Sequence, residues 1–492
     1  MPQPNHSTPP TGNEPPVPLV VDLDKTLIRT DILWESVVQL WCSPVLALRA
    51  IVASVLHGKA AFKTAIAEKI TIDPATLPYR EDVLEFAKSQ HAMGRDVILA
   101  TATHRINAQR IANHVGVICR VFATEGGINL SGIHKRAALE SAYGKQGFDY
   151  VGDGRNDLAI FSVAREALLV DPSSSLLRRA SAFGNVSRVF SEKRLDVKVV
   201  ARALRLHQWT KNVLLAVPLL LAHMVLDLSA WISVVIAFCG FSLVASATYL
   251  INDLVDLQSD RTHPQKRFRP LASGRLAIPT GLILAIALGL LGFILSIAFL
   301  PSRFVAYLVV YVTLTLSYSL DLKRRLFVDV LALAVLYTLR ILAGGAAIGV
   351  GVSEWLLMFS LFLFISLAFL KRAIELKGDE NNARVFGRGY FPVDLEIIRV
   401  IGVSSGLVSV LVLALYINSP AVSQLYRSPQ ILWLMCPLLI YWIARIWFLA
   451  RRGIVDHDPV VFALFDSRSY FVGACGVVIV LLAKLGPAGM HW

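Results

Sequence analysis

The chain carries two hydrophobic rhythms. Over residues 18–185 short β-branched runs alternate with stretches of helical period: PLVVD ends at Asp22, RDVILATATH runs through Thr101, and DYVGD ends at Asp153. Strands separated by helices predict a parallel sheet covered on both faces, and such sheets bind ligands at the carboxyl ends of their strands. From residue 211 one apolar segment follows another, at 213–228, 231–251, 279–299, 303–320, 326–349, 354–371, 397–418, 429–449 and 468–487. A bilayer-crossing helix takes roughly 20 such residues, so the expectation is an all-α polytopic bundle of nine transmembrane helices. The first of the nine is short and contains Pro218. The expected organisation is a proline-rich disordered tail (1–17), an α/β Rossmann-like domain (18–185) with a helical cap at about 30–92, an interfacial linker helix (186–210) and the membrane bundle (211–492).

Composition and charge sharpen this division. The 492 residues are 55% hydrophobic, with a mean hydropathy of +0.59, which marks an integral membrane protein with room for a soluble domain. The net charge of +13 would suit a nucleic-acid partner, but its distribution argues otherwise. Eighteen Lys and Arg fall in the loops 252–278, 321–325, 371–399 and 445–468, against Arg303 and Arg427 in the short loops of the other side. The positive-inside rule then puts those loops and the N-terminal domain on the cytoplasmic face, where cations meet anionic lipid and substrate. Five cysteines, Cys42, Cys119, Cys239, Cys436 and Cys475, lack metal-ligand spacing and read as small packing residues.

The densest chemistry lies in NDLVDLQSDRTHPQKRFRP, residues 252–270, at the end of an apolar run. Asn252, Asp256 and Asp260 recur at intervals of four, one helical stripe with Asp253 beside it. Carboxylates crowded at a membrane surface repel, and a cation relieves that; oxygen donors on one face suit Mg²⁺ completed by substrate phosphates. Lys266, Arg267 and Arg269 follow as donors for phosphate oxygens. A solvated, helix-capping loop is the bland alternative. Elsewhere Lys211 stands at the mouth of the first span, Lys323 and Asp329 at the start of the fifth, and Arg340 within it. Arg340 is costly there without an anion. Lys371, Arg372 and Glu375 end the sixth span, and Asp456, Asp458 and Asp466 lie in the last cytoplasmic loop as further ligands or as ordinary loop acids.

In the N-terminal part, Asp22-Leu-Asp24-Lys-Thr26, Thr101, Lys135 and the pair Asp153 and Asp157 follow in an order that resembles the haloacid dehalogenase-like phosphatases. The resemblance implies Asp22 as nucleophile through an aspartyl-phosphate and Asp24 as general acid and base. It also implies that Thr101 and Lys135 hold phosphoryl oxygens and that Asp22, Asp24, Asp153 and Asp157 surround Mg²⁺. A carboxylate attacks a phosphoryl anion only when a metal and a lysine cancel the repulsion.

NDLVDLQSD with HPQKRFRPLASG is similar to the first aspartate-rich motif of the UbiA superfamily of intramembrane prenyltransferases, over about residues 203–490. The second such motif is incomplete, because Leu333 stands four residues after Asp329. HQWTKN, YSLDLKRRLFVDVLALAVLYTLR, KRAIEL and DPVVFALFDSRS most resemble the polyprenyl-phosphate phosphoribosyltransferases within it. That resemblance implies phosphoribosyl pyrophosphate as donor and a polyprenyl phosphate as acceptor. Asn252, Asp253, Asp256 and Asp260 would then hold Mg²⁺ on the pyrophosphate, with Lys211, Lys266, Arg269, Lys323, Asp329, Arg340, Lys371 and Arg372 around the two anionic substrates. Rival readings are transfer of a prenyl group from a prenyl diphosphate to a small acceptor, and a non-enzymatic transporter or scaffold.

Overall fold

The computed structural model describes residues 16–41, 70, 72–125, 129–191, 196–377, 389–455 and 458–486. The expected tail up to residue 15, residues 42–69 of the cap, Cys42 and Asp456 lie outside the described residues. The chain divides into two compact units, one of residues 1–203 with 253–282, the other of 204–252 with 283–492.

The first unit is built on a six-stranded parallel sheet. Its strands are β1 (Leu19–Val21), β2 (Val97–His104), β3 (Ile118–Thr124), β4 (Asp149–Gly152), β5 (Ala167–Val170) and β6 (Val186–Phe190), in the order β3-β2-β1-β4-β5-β6. Helices α1 (Ile32–Trp41), α2 (Glu81–Ala92), α3 (Arg105–Val115), α4 (Ile133–Tyr143) and α5 (Ser174–Ser181) belong to the same unit. β1, β4 and β5 are buried along their whole length, which is why β1 and β5 read as unbroken apolar runs. Two cores result, one around Leu19, Val21 and Leu99, the other around Val20, Ile98 and Tyr150. The strand order switches direction at β1, and the ligand crevice of such a sheet opens beside that strand. β6 corrects the sequence expectation, which placed 186–190 in the linker helix. Without it β5 would be left as an edge; instead Leu169 pairs with Val189 and Phe190 packs into the core. Among the described residues of the expected linker, only Val197–Ala203 is α-helical.

The second unit is helical. Among the described residues eight helices are long and apolar enough to cross a membrane. They comprise α6 (Leu228–Val255), α8 (Ile278–Phe299), α9 (Ser302–Leu320), α10 (Val328–Ala347), α11 (Glu354–Lys377), α12 (Leu395–Ile417), α13 (Met435–Arg451) and α15 (Ser467–Leu485). Of the short helices between spans, α14 (Pro459–Phe465) belongs to this unit, whereas α7 (Leu257–Thr262) falls in the first. α10 is the most enclosed, 72% buried, against 17% for α8. The stretch 213–228, expected as the first span, is instead a 3₁₀ helix, Leu206–Ala216, followed by a five-residue α-helix, Val217–Leu221, with Pro218 in its first turn. Proline is accommodated there because its missing N–H would have no partner anyway. Gly344 of α10 lets this segment come close: a side chain at 344 would collide with the Leu215 backbone carbonyl.

Candidate active sites

At the carboxyl ends of β1, β2 and β4 a cavity of about 250 Å³ collects the polar residues that the strand pattern singled out. Asp22 follows β1 directly, its N–H donating to the Val151 carbonyl at 3.0 Å and so prolonging the ladder. Lys135, on α4 and 3% exposed, donates to Asp22 Oδ1 at 2.9 Å and to the Tyr150 hydroxyl at 3.0 Å. That hydroxyl donates to Asp157 Oδ1 at 2.9 Å, while Gly154 N–H donates to Asp157 Oδ2 at 3.1 Å. Burial pushes the Asp22 carboxyl up to about 6, with Lys135 pulling the other way and Asp157 adding to the rise. Burial, then Asp22 and Asp157, push Asp153 up to about 8.

Oxygens of Asp22, Asp153 and Asp157 lie within 4.8 Å of one another. A largely buried, oxygen-only set, in which burial raises the Asp22 and Asp153 carboxyls, fits Mg²⁺. Asp24, expected among the ligands, is not in this trio. Its Oδ1 accepts the Ile32 N–H at 2.8 Å and its Oδ2 the Thr103 hydroxyl at 2.8 Å, with Thr101 Oγ1 at 3.4 Å. Burial, then the charges of Asp31 and Asp22, push Asp24 up to about 7, so at neutral pH it has a proton to give. Thr103 and Tyr150 were not anticipated. The signal for Thr103 was its position two residues after Thr101, on the same face of β2.

The acidic stretch is interrupted where a continuous stripe was expected. α6 ends at Val255, Asp256 caps α7 with φ −88° and ψ 6°, and the four-residue spacing no longer shares one helix. Arg269 instead joins Asp253 and Asp260: its Nη1 donates to both, at 3.1 and 2.6 Å. The residue before Pro270 is held extended, ψ 146°, which turns the chain back and brings Arg269 to the acids. Burial pushes Asp260 up to about 6, with Arg269 opposing and Asp253 reinforcing. Asn252, Asp256 and Lys266 are half-buried. Among the described residues these acids are not gathered as closely as Asp22, Asp153 and Asp157; their oxygen donors are of the type a divalent ion takes, with Arg269 holding two of them.

In the second unit the basic residues fall into three groups. Lys211 and Lys371 converge on Asp458, the latter at 3.5 Å. Burial alone would raise the Asp458 carboxyl, but the two lysines win and hold it well below the usual carboxylate range. Arg372, 1% exposed, donates through Nε to Asp329 at 2.6 Å, through Nη2 to Tyr318 at 3.0 Å and through Nη1 to Glu375. Asp329 also accepts from Tyr390. Arg372 and Asp329, expected around the substrates, meet each other here: all three guanidinium nitrogens are engaged, because a buried arginine needs an anion and Asp329 supplies it. Arg340 donates to Asn212 Oδ1 at 2.9 Å and sits 5.0–5.6 Å from the ring centres of Tyr311, Phe241 and Tyr337. Among the described residues no carboxylate pairs with Arg340. Lys323 is half-buried on a 3₁₀ turn, Leu322–Arg324. Asp466 caps α15 and forms a bidentate pair with Arg445 at 2.6 and 2.9 Å, so it stays with the scaffold. Trp209 donates to Ser246 at 2.9 Å.

A parallel α/β sheet with a carboxylate trio at its strand ends, in a chain that also carries eight helices suited to a membrane among its described residues, sets the class as a membrane protein with an appended α/β domain. The profile of the UbiA prenyltransferase family matches residues 213–467 and that of the haloacid dehalogenase-like hydrolases residues 19–162, so the chain belongs to the UbiA prenyltransferase family, with a haloacid dehalogenase-like domain at its N-terminal side. The protein y4nM of Sinorhizobium fredii is 37% identical over 465 residues, covering 93% of this chain and 89% of its own, so both parts are shared. Nodulation protein NoeC of Azorhizobium caulinodans is 36% identical over 295 residues, 58% of this chain and 94% of that one. Decaprenyl-phosphate phosphoribosyltransferase of Corynebacterium glutamicum is 38% identical over 180 residues, 36% of this chain and 54% of the relative.

Proposed function

We propose that the membrane unit transfers 5-phosphoribose from phosphoribosyl pyrophosphate to a polyprenyl phosphate, and that the α/β domain then removes the 5-phosphate. The observation that carries the donor assignment is the use of Asp329. A prenyl diphosphate handled through two acidic motifs needs a second carboxylate set, but Asp329 is consumed by Arg372 and Leu333 follows where an acid would stand. Similarity to a decaprenyl-phosphate phosphoribosyltransferase supports the same choice.

In this reading Asp253, Asp256 and Asp260, with Asn252, hold Mg²⁺, which when bound draws charge from the pyrophosphate leaving group. Arg269, freed from the acids, and Lys266 neutralise the departing diphosphate. Lys211, Lys323, Arg340 and Lys371 supply positive charge for the remaining phosphates. The acceptor phosphate attacks C1 of the ribose as the C1–O bond to pyrophosphate breaks, through an oxocarbenium-like transition state.

In the α/β domain Asp22, Asp153 and Asp157 hold a second Mg²⁺, which when bound lets the Asp22 carboxylate approach a phosphoryl group. Thr101 and Lys135 hold that group's oxygens. Asp22 attacks phosphorus while Asp24 protonates the ribose oxygen that leaves. Asp24 then takes a proton from the water that cleaves the aspartyl-phosphate.

The eighteen cations of one set of loops support a cytoplasmic N-terminal domain and acidic loop. Residues 206–221 fit this parity as a ninth crossing. At about 2.0 Å per 3₁₀ residue and 1.5 Å per α residue they rise about 30 Å, the thickness of the hydrocarbon core.

The test is to incubate purified protein with radiolabelled donor and polyprenyl phosphate. The wild type is expected to give a neutral-sugar lipid and Asp22→Asn a phosphorylated one. Identical products from both would end the phosphatase assignment, and consumption of prenyl diphosphate in place of the ribosyl donor would end the transferase assignment.

A further inference from the structure

The acidic loop of residues 253–282 belongs to the same compact unit as the phosphatase sheet, and one buried ion pair ties them together. Arg261 of α7 donates to both oxygens of Glu35 on α1, at 2.9 and 2.6 Å, while its Nε donates to the Ala272 carbonyl at 3.0 Å. Glu35 is fully buried and Arg261 9% exposed. Gln258, also on α7, accepts from the Thr76 hydroxyl at 2.9 Å. Gly274, at φ +72°, packs where a side chain would strike Arg29 Cβ at 2.6 Å.

What Glu35 touches next gives this pair more than a fastening role. Its Oε1 accepts the Thr30 hydroxyl at 2.6 Å, and the Thr30 carbonyl accepts the Lys25 N–H at 3.0 Å. One turn before Glu35, Ile32 N–H donates to Asp24 Oδ1. The segment that aims Asp24 therefore meets Glu35 through Thr30 and runs through Ile32 into the helix that carries Glu35, and Glu35 pairs with Arg261.

We propose that Arg261 is a positioning residue of the phosphatase site, so that the loop read as holding the diphosphate and the phosphatase pocket form one coupled device. Asp260 adjoins Arg261 on the six-residue α7, so a ligand that draws Asp260 from Arg269 shifts Arg261, loosens Glu35 and slows phosphatase turnover. The direction of this coupling rests on the functional reading of the loop; the positioning role does not. Its chemical consequence is that a donor still holding its 5-phosphate is spared hydrolysis while bound.

The experiment uses the full chain in detergent with Mg²⁺ and an alkyl phosphate, ribose 5-phosphate, measuring kcat, KM and melting temperature. Arg261→Gln is expected to lower kcat about tenfold with KM nearly constant, and Arg261→Lys to recover part of the loss. Should Arg261→Gln not fold, Glu35→Gln with Arg261→Gln removes both charges and is read in the same way. Arg165→Gln, which weakens a pair with Asp149 at the opposite end of β4, is expected to lower the melting temperature only. Unchanged kcat in the Arg261 variants, or an equal fall in Arg165→Gln, overturns the positioning role. Magnesium methylenediphosphonate, its binding followed separately by calorimetry, is expected to lower wild-type kcat about fivefold or more and to have no effect on the double variant. Binding without a fall in kcat overturns the coupling, whereas no binding at all counts against the reading of the acidic loop and leaves the Arg261 kinetics to decide the positioning role.

Discussion

Burial gives the two aspartates of DLD different tasks. Asp22 faces Lys135 and has its charge supported, whereas Asp24 faces neutral donors and the charge of Asp31, so it keeps a proton. Asp24→Asn is therefore expected to slow hydrolysis of alkyl phosphates by about 10² to 10⁴. It should slow p-nitrophenyl phosphate hydrolysis less, since that leaving group needs no proton; equal losses would argue against an acid role. Metal uptake follows from the same shifts. At pH 7 an Asp153 pushed up to about 8 is mostly protonated, and a ligand must be ionised. Binding of Mg²⁺ should therefore release a proton and strengthen as pH rises toward 8, measurable by calorimetry in two buffers of different ionisation enthalpy. A pH-independent affinity would contradict the trio as ligands. The types and order of these residues were legible in the sequence. That Asp24 turns away from the trio was not, because the Ile32 N–H and Thr103 that hold it come from a helix start and a strand that the chain only later brings together.

At the scale of elements, acids and bases at span ends sort into pairs that fix helices and groups that remain for ligands. Asp458 serves both ends: it caps α14, and it gathers Lys211 and Lys371, the lysines that the transferase reading also sets near phosphates. Asp458→Asn leaves two cations without their anion and is expected to cost about 3 kcal/mol or more, seen as a lower melting temperature in detergent. The pH dependence has a definite sign. The folded carboxyl lies below its ordinary value, so its stabilisation is complete above about pH 4 and is lost as pH falls below that. Loss of stability on raising pH from 5 to 8 would not come from this group. The sequence placed Arg372 and Asp329 among candidate ligands by proximity to a membrane face, but their partnership links α10 and α11, 43 residues apart, and no spacing rule reports it.

On the scale of the whole molecule, expected orientation and chemistry come together. If the N-terminal domain and the loops rich in cations share a side, Cys119, exposed on the α/β domain, should react with an impermeant maleimide only in inside-out vesicles. Arg303→Cys, in a loop of the other side, should react only in right-side-out ones. Labelling of both from one side would break the parity of nine crossings. Sequence alone determined where apolar runs long enough to cross a bilayer lie, that strands alternate with helices ahead of them, and which carboxylates and cations stand at their ends. Those properties depend on hydropathy and period, which are local. Tertiary structure alone decided that Pro218 falls in a 3₁₀ and short α segment packed against Gly344, that a sixth strand closes the sheet, and that Arg269 joins two acids. It also decided that Arg261 completes the support of Asp24 from 226 residues beyond Glu35. A buried charge takes whichever opposite charge the packed chain brings within reach, and that choice is written in no single stretch of residues.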